Sequence, residues 1–186
     1  MPLQLEYITL LKMDFSKGFN IQLATLFGLG RLPGGGTWAS LLVLLIALYE
    51  QNVETASFLA FFTLIIGPRA YKKLTDESRS EDPKEFVLYE VVGMWIALAG
   101  VYILYNVFGE FDFNIVFLSD IDALFILTFI IFRFFDISKI GPVGWVENNQ
   151  NEKPYNRVIG DDIMASFLTI FVIVIVLSIN LWVLWK

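Results

Sequence analysis

The sequence predicts an all-α integral membrane protein, a compact bundle of about four to five transmembrane helices with a short N-terminal interfacial or re-entrant helix. Three observations predict it. No charged residue occurs from Ile163 to Trp185, and about 20 apolar residues rising ~1.5 Å each suffice to cross a bilayer. The chain of 186 residues is 56% hydrophobic and 16% aromatic, with 18 Phe, a balance above that of soluble domains. Its charges, finally, sort by side once the apolar segments are made to alternate across a membrane.

The elements follow in order. Met1 to Lys17 mixes charge and apolar residues without the continuous apolar centre of a secretory signal, so none is expected. Gly18 to Gly30, "GFNIQLATLFGLG", is uncharged and short, and reads as the interfacial or re-entrant helix. "RLPGGGTWAS" breaks the chain, and Thr37 is placed to cap the helix that follows. "TWASLLVLLIALY" is the first span, brief enough to need tilting or local packing. The second runs from about Thr55 to Pro68 and ends in the polar loop "RAYKKLTDESRSEDPKE". The third covers Tyr89 to Phe108, and the fourth Ile121 to Phe135 after an acidic link. A loop rich in Gly, Pro and Asn leads to the last span at Asp161. The 186 residues read as a single membrane-embedded domain.

Alternation of these five segments places the charges. Lys12, Lys17, Arg31, Arg69, Lys72, Lys73, Arg79, Lys84, Arg133, Lys139, Lys153 and Arg157 fall on one side, leaving only Lys186 opposite. Glu50, Glu54, Glu110, Asp112, Asp120 and Asp122 occupy the other links without any Lys or Arg. The basic side is cytoplasmic by the positive-inside rule. The "DID" of residues 120–122 reads as a solvated link, and Trp182 with Trp185 as an interfacial anchor.

The composition also excludes chemistry. Without Cys there is no disulfide framework, thiolate nucleophile or zinc thiolate site. Without His there is no imidazole base, phosphohistidine or His-ligated metal. Carboxylates, Lys/Arg, hydroxyls and backbone amides remain, a set suited to hard cations with oxygen ligands.

The same topology gathers Thr37, Ser40, Glu90, Arg133, Asp136, Lys139, Asp161 and Asp162 at the cytoplasmic ends of spans. Ionisable groups at that depth face a bundle interior or cavity and mark function. A Mg²⁺ ion, which takes one or two carboxylates plus waters and phosphate oxygens, accounts for the acids. Each residue has a plainer reading too. Asp161 stands where it could cap the last helix with Asp162 in its first turn. Glu90 could pair with Lys84 or Arg133, and Lys139 could reach lipid headgroups. Arg133 and Asp136, three apart on one helix, could satisfy each other. "LPGGGTWAS" has the form of a phosphate-cradling loop entering a helix. Gly30, Gly35 and Thr37 fit the nucleotide-binding pattern, but Gly36 sits where its lysine belongs, so a nucleotide is not expected.

Four blocks carry a resemblance. "GLGRLPGGGTWASLL", "DPKEFVLYEVVGMWIAL", "FRFFDISKIGPVGW" and "GDDIMAS" occur in the order and rough spacing of the phosphatidylglycerophosphatase A family, over about residues 28 to 168. The resemblance implies a bacterial inner-membrane, Mg²⁺-dependent lipid phosphatase. Such an enzyme removes the terminal phosphate of phosphatidylglycerophosphate to give phosphatidylglycerol in phospholipid biosynthesis. Thr37 and Ser40 match a Pro-Gly-Thr-x-Gly-Ser block in which Gly35 and Ala39 are departures. Asp82 matches a supporting acidic position, and Glu90 the second member of an Asp-Glu pair whose aspartate is replaced by Tyr89. Arg133, Asp136, Lys139 and Pro142 match the third block, and Asp161 with Asp162 the closing pair.

The mechanism expected from this resemblance is metal-assisted hydrolysis of a phosphomonoester. Glu90, Asp136 and Asp162 hold Mg²⁺, with Asp161 as a further ligand or the base for water. Lys139 and Arg133 neutralise charge on the transferring phosphate, and Gly36, Thr37 and Ser40 help to position it. The partner is the phospholipid substrate; neither nucleic acid nor a protein partner is expected. Two other functions fit the same residues. One is a weakened relative that binds anionic lipid or assists a lipid synthase, suggested by Tyr89. The other is a small cation carrier, which would place charges at mid-membrane and show broken helices.

Overall fold

A computed structural model describes residues 18–108 and 119–184, with side chains for 18–107 and 119–179. Lys12, Lys17, Glu110, Asp112, Trp185 and Lys186 lie outside the described residues, as does the side chain of Trp182. The described residues are helical without a strand. Residues 18–24 form the expected short N-terminal helix, and a 3-10 turn, Leu29–Arg31, follows. The longer helices are α1 (Gly35–Glu50), α2 (Glu54–Ser78), α3 (Leu88–Phe108), α4 (Asp120–Ser138), α5 (Pro142–Glu147) and α6 (Pro154–Leu184).

Local chemistry sets these boundaries and corrects several expectations. α1 starts on Gly34, whose φ of 72° is open to glycine, and no side chain caps it. Thr37 therefore lies inside the first turn rather than at the cap, its amide donating to Gly34 O at 2.8 Å. α2 runs through Pro68, which removes one backbone donor, and continues to Ser78. Arg69, Lys72 and Lys73 are thus helical, and the polar loop begins only after Arg79 (φ 55°) closes the helix. The "DID" residues are the first turn of α4 instead of a link. Ser119 Oγ accepts the Asp122 amide at 3.3 Å, capping the helix, and donates to Asp122 Oδ2 at 2.6 Å, in a turn that favours acids. The expected loop after α4 contains a further helix, α5, with Pro142 at its first turn. α6 begins at Pro154, so Asp161 and Asp162 stand two turns inside it and do not cap it.

α3 lies at the centre. It packs against α1, α2, α4 and most extensively α6, and α6 also covers α4 and α5. Small residues let α3 and α6 approach closely. A Cβ at Gly93 would come within 3.0 Å of Asp162 Cβ and of the Phe132 ring, and one at Gly100 would strike Ile170. Ser166 Oγ donates between Gly93 O at 2.6 Å and Asp162 O at 2.7 Å, tying the two helices at the level of the acidic pair. The core beneath consists of Val43, Val91, Met94, Leu98, Phe125 and Phe132, all nearly inaccessible.

Among the described residues, two helices are long and apolar enough to cross a membrane by length and composition, Leu88–Val107 and Pro154–Ile179. This is fewer than the four to five spans expected, because α1 has 16 residues and the apolar part of α2 is followed by its basic turns.

Candidate active site

The starts of α3 and α6, the end of α4 and the helix α5 surround one cavity of about 570 Å³. Asp82, Glu90, Arg133, Asp136, Lys139, Asp161 and Asp162 all line it. Residues as far apart as Asp82 and Asp162 are thereby brought to one end of the bundle. Helix ends do this work. Glu90 is in the first turn of α3, and Arg133 and Asp136 are in the last turns of α4. Lys139 closes α4 in the left-handed region, at φ 50°.

The cations and carboxylates interlock. Arg133 pairs with Asp136, as their spacing allows, and its Nη1 donates to Ser40 Oγ at 3.3 Å. Lys139 Nζ bridges two helices, lying 3.2 Å from Asp136 Oδ1 and pairing also with Asp161 Oδ2. Burial works against the charge on Lys139, but Asp161 and Asp136 outweigh it and hold the ammonium's pKa above its ordinary value. The other oxygen of Asp161 accepts the Asp162 amide at 2.9 Å. Both carboxylate oxygens of Asp161 are therefore engaged.

Glu90 and Asp162 differ from their neighbours. Neither makes an ion pair among the described residues. Asp162 is 5% exposed, and its Oδ1 is buried without a hydrogen-bond partner. A buried, unpartnered carboxylate oxygen is costly, and it is the kind of atom a cation satisfies. Among the described residues no three carboxylates converge tightly enough to hold an ion as they stand. The four carboxylates expected as ligands thus divide: Asp136 and Asp161 are taken by Arg133 and Lys139, while Glu90 and Asp162 remain. Two carboxylates are what Mg²⁺ uses when waters and phosphate oxygens complete its shell, so the residues present fit it.

A second cavity of about 500 Å³ adjoins the first and shares Lys84, Glu90 and Arg133 with it. Gly36 lines this one, and a Cβ there would strike the Glu90 carboxylate. Ser40 is fully buried, donates to Gly36 O at 2.9 Å, and supports Arg133. Thr37 lines neither cavity. Lys84, Arg157 and Glu147 line the main cavity although their charge alone gave no reason to separate them from other loop residues.

Tyr89 turns away from the cavity. It is fully buried, its ring sits edge-on to Phe86 and Tyr155, and its hydroxyl bonds to that of Tyr155 across the α3–α6 junction. Gly67 makes room for it, since a Cβ there would lie 2.8 Å from the Tyr89 hydroxyl.

Comparison with known proteins adds a family. No curated protein matches the chain, and neither does any solved structure. The family model described as Phosphatidylglycerophosphatase A matches residues 22–177, which contain every residue named in the two cavities. The chain belongs to the phosphatidylglycerophosphatase A family, a family of membrane-associated phosphatases acting on a phospholipid.

Proposed function

We propose that this protein hydrolyses the terminal phosphate of phosphatidylglycerophosphate, giving phosphatidylglycerol and inorganic phosphate, with Mg²⁺ held by Glu90 and Asp162. One observation carries the reading: a cavity at the bundle end where Arg133 and Lys139 stand against paired acids, beside a buried Asp162 oxygen with no partner. Mg²⁺ bound there would polarise a phosphoryl oxygen and orient or activate the attacking water.

The chain's own residues supply the rest. Phosphoryl transfer passes through a loose transition state, so positioning and charge stabilisation dominate. Arg133 is oriented by Asp136 and Ser40, and Lys139 by Asp136 and Asp161. Both cations are thus fixed before substrate arrives, and reorganise little as charge grows on the transferring oxygens. Asp161, with both oxygens engaged, acts by holding Lys139. Asp82 stands exposed in the cavity lining.

A bundle of four to five spans, in a bacterial inner membrane with the site at the cytoplasmic face, belongs to the same proposal. Its support is the apolar outer surface. Phe58, Phe61 and Ile65 on α2, Leu45 on α1 and Ile130 on α4 are each more than half exposed, which lipid explains better than water. The basic residues at the cavity end agree with a cytoplasmic orientation. The placement of Tyr89 favours activity over the weakened relative, because that side chain is no part of the cavity wall. A carrier is disfavoured by the clustering of charge at one end.

The test is phosphate release from phosphatidylglycerophosphate in mixed micelles by the purified protein, with Mg²⁺ and with EDTA. Release that requires Mg²⁺ is the expected result. A folded protein that releases no phosphate would overturn the proposal.

A further inference from the structure

The two adjoining cavities differ in charge. In the larger, acidic side chains outnumber basic ones. In the smaller, Arg31, Lys84 and Arg133 face only Glu85 and Glu90. Arg31 and Lys84 are exposed and make no ion pair among the described residues. Arg133 Nε is buried without a partner, and its guanidinium belongs to both cavities. Beside Arg31 and Lys84, main chain packs directly on main chain. A Cβ at Gly30 would strike Glu85 O, and one at Gly35 would lie 2.5 Å from Gly30 O. Four glycines line the smaller space, and Arg31 and Lys84 at its edge pair with no acid among the described residues.

The substrate proposed above has a matching feature. It carries two phosphates joined by a glycerol bridge: the terminal monoester that is cleaved, and a phosphodiester to the diacyl anchor that is not. We infer that the smaller cavity binds the non-reacting phosphodiester through Arg31 and Lys84, while the terminal phosphate occupies the larger one. This inference rests on the proposed phosphatase reading. Arg133, at the junction, lies within reach of both groups. The arrangement selects a lipid with two phosphates over one with a terminal phosphate alone, because only the former engages both cavities.

The experiment compares phosphatidylglycerophosphate with phosphatidic acid, which has a phosphomonoester but no second phosphate, in the same micelles with Mg²⁺. The readout is the ratio of kcat/KM values. Removing one charge-assisted contact to the diester in Arg31→Gln lowers this ratio by about tenfold, and Lys84→Gln lowers it in the same direction. An equal loss on both lipids, or no change in the ratio in either variant, would overturn the inference while leaving the phosphatase intact. Weaker inhibition by added inorganic phosphate with an unchanged ratio would assign the cavity to the product, and also overturn it. A wild-type protein inactive on both lipids would overturn the underlying reading itself.

Discussion

Lys139→Met isolates the bridge on which the site is built. Lys139 joins Asp136 on α4 to Asp161 on α6, and the carboxylates are only 9% and 11% exposed. Methionine keeps much of the side-chain length and leaves both acids without that cation. Breaking a fully buried pair costs about 3–5 kcal/mol, and an exposed one about 0–1. Lys139 is 27% exposed, so the cost falls between, at about 2–3 kcal/mol. Denaturation in detergent, followed by circular dichroism, measures it in Lys139→Met, Asp161→Asn and the double variant. The double variant should lose clearly less than the sum of the singles, with a coupling above about 1 kcal/mol. Additive losses would refute the bridge. The sign of the pH dependence is also fixed. A lysine whose folded pKa is raised contributes fully below its unfolded value of about 10.4, and loses that contribution only as pH rises through the folded value. The Lys139 contribution is therefore flat from about pH 7 to about pH 9.

Other substitutions test the remaining supports. Gly93→Ala forces a methyl against Asp162 and Phe132, and should cost about 1–3 kcal/mol in the same denaturation assay while depressing phosphate release. Gly36→Ala meets only the flexible end of Glu90, so stability should change by less than about 1 kcal/mol while activity falls more than about tenfold. Tyr155→Phe strands the Tyr89 hydroxyl in a fully buried place and should cost about 1–3 kcal/mol. Tyr89→Phe should cost less, because Tyr155 is only partly buried and water can reach it. Equal losses in these two variants would show that the hydroxyl pair is not what the junction depends on.

The apolar runs and the sorting of charge were legible because they depend on composition at the scale of a helix. That sorting put Glu90, Arg133, Asp136, Lys139 and Asp161–Asp162 at one end, and all of them line one cavity. Helix limits were less legible. "PYNRVIG" has the look of a loop, yet it forms the first two turns of α6, because Pro is tolerated at a helix start and the turns rest on α5. The polar half of α2 likewise hides its helix, since only Ala70, Tyr71 and Leu74 mark its buried face among many charges. Pairing was beyond sequence. Lys139 and Asp161 are 22 residues apart and Tyr89 and Tyr155 are 66 apart, and neither spacing carries a periodic signal. The division of the four acids into two paired and two unpaired also required coordinates, because it follows from where two cations reach.

The central claim is that Asp162, whose buried oxygen is left without a partner, serves the hydrolysis of the terminal phosphate. Asp162→Asn preserves its shape and removes the charge. Its kcat on phosphatidylglycerophosphate with saturating Mg²⁺, beside a denaturation curve, is the most direct measurement. The account predicts kcat reduced by a factor on the order of 10³, and a fold at least as stable as wild type when both are denatured in EDTA, because a buried unpaired carboxylate is gone. An Asp162→Asn protein that turns over the lipid at near the wild-type rate would contradict it.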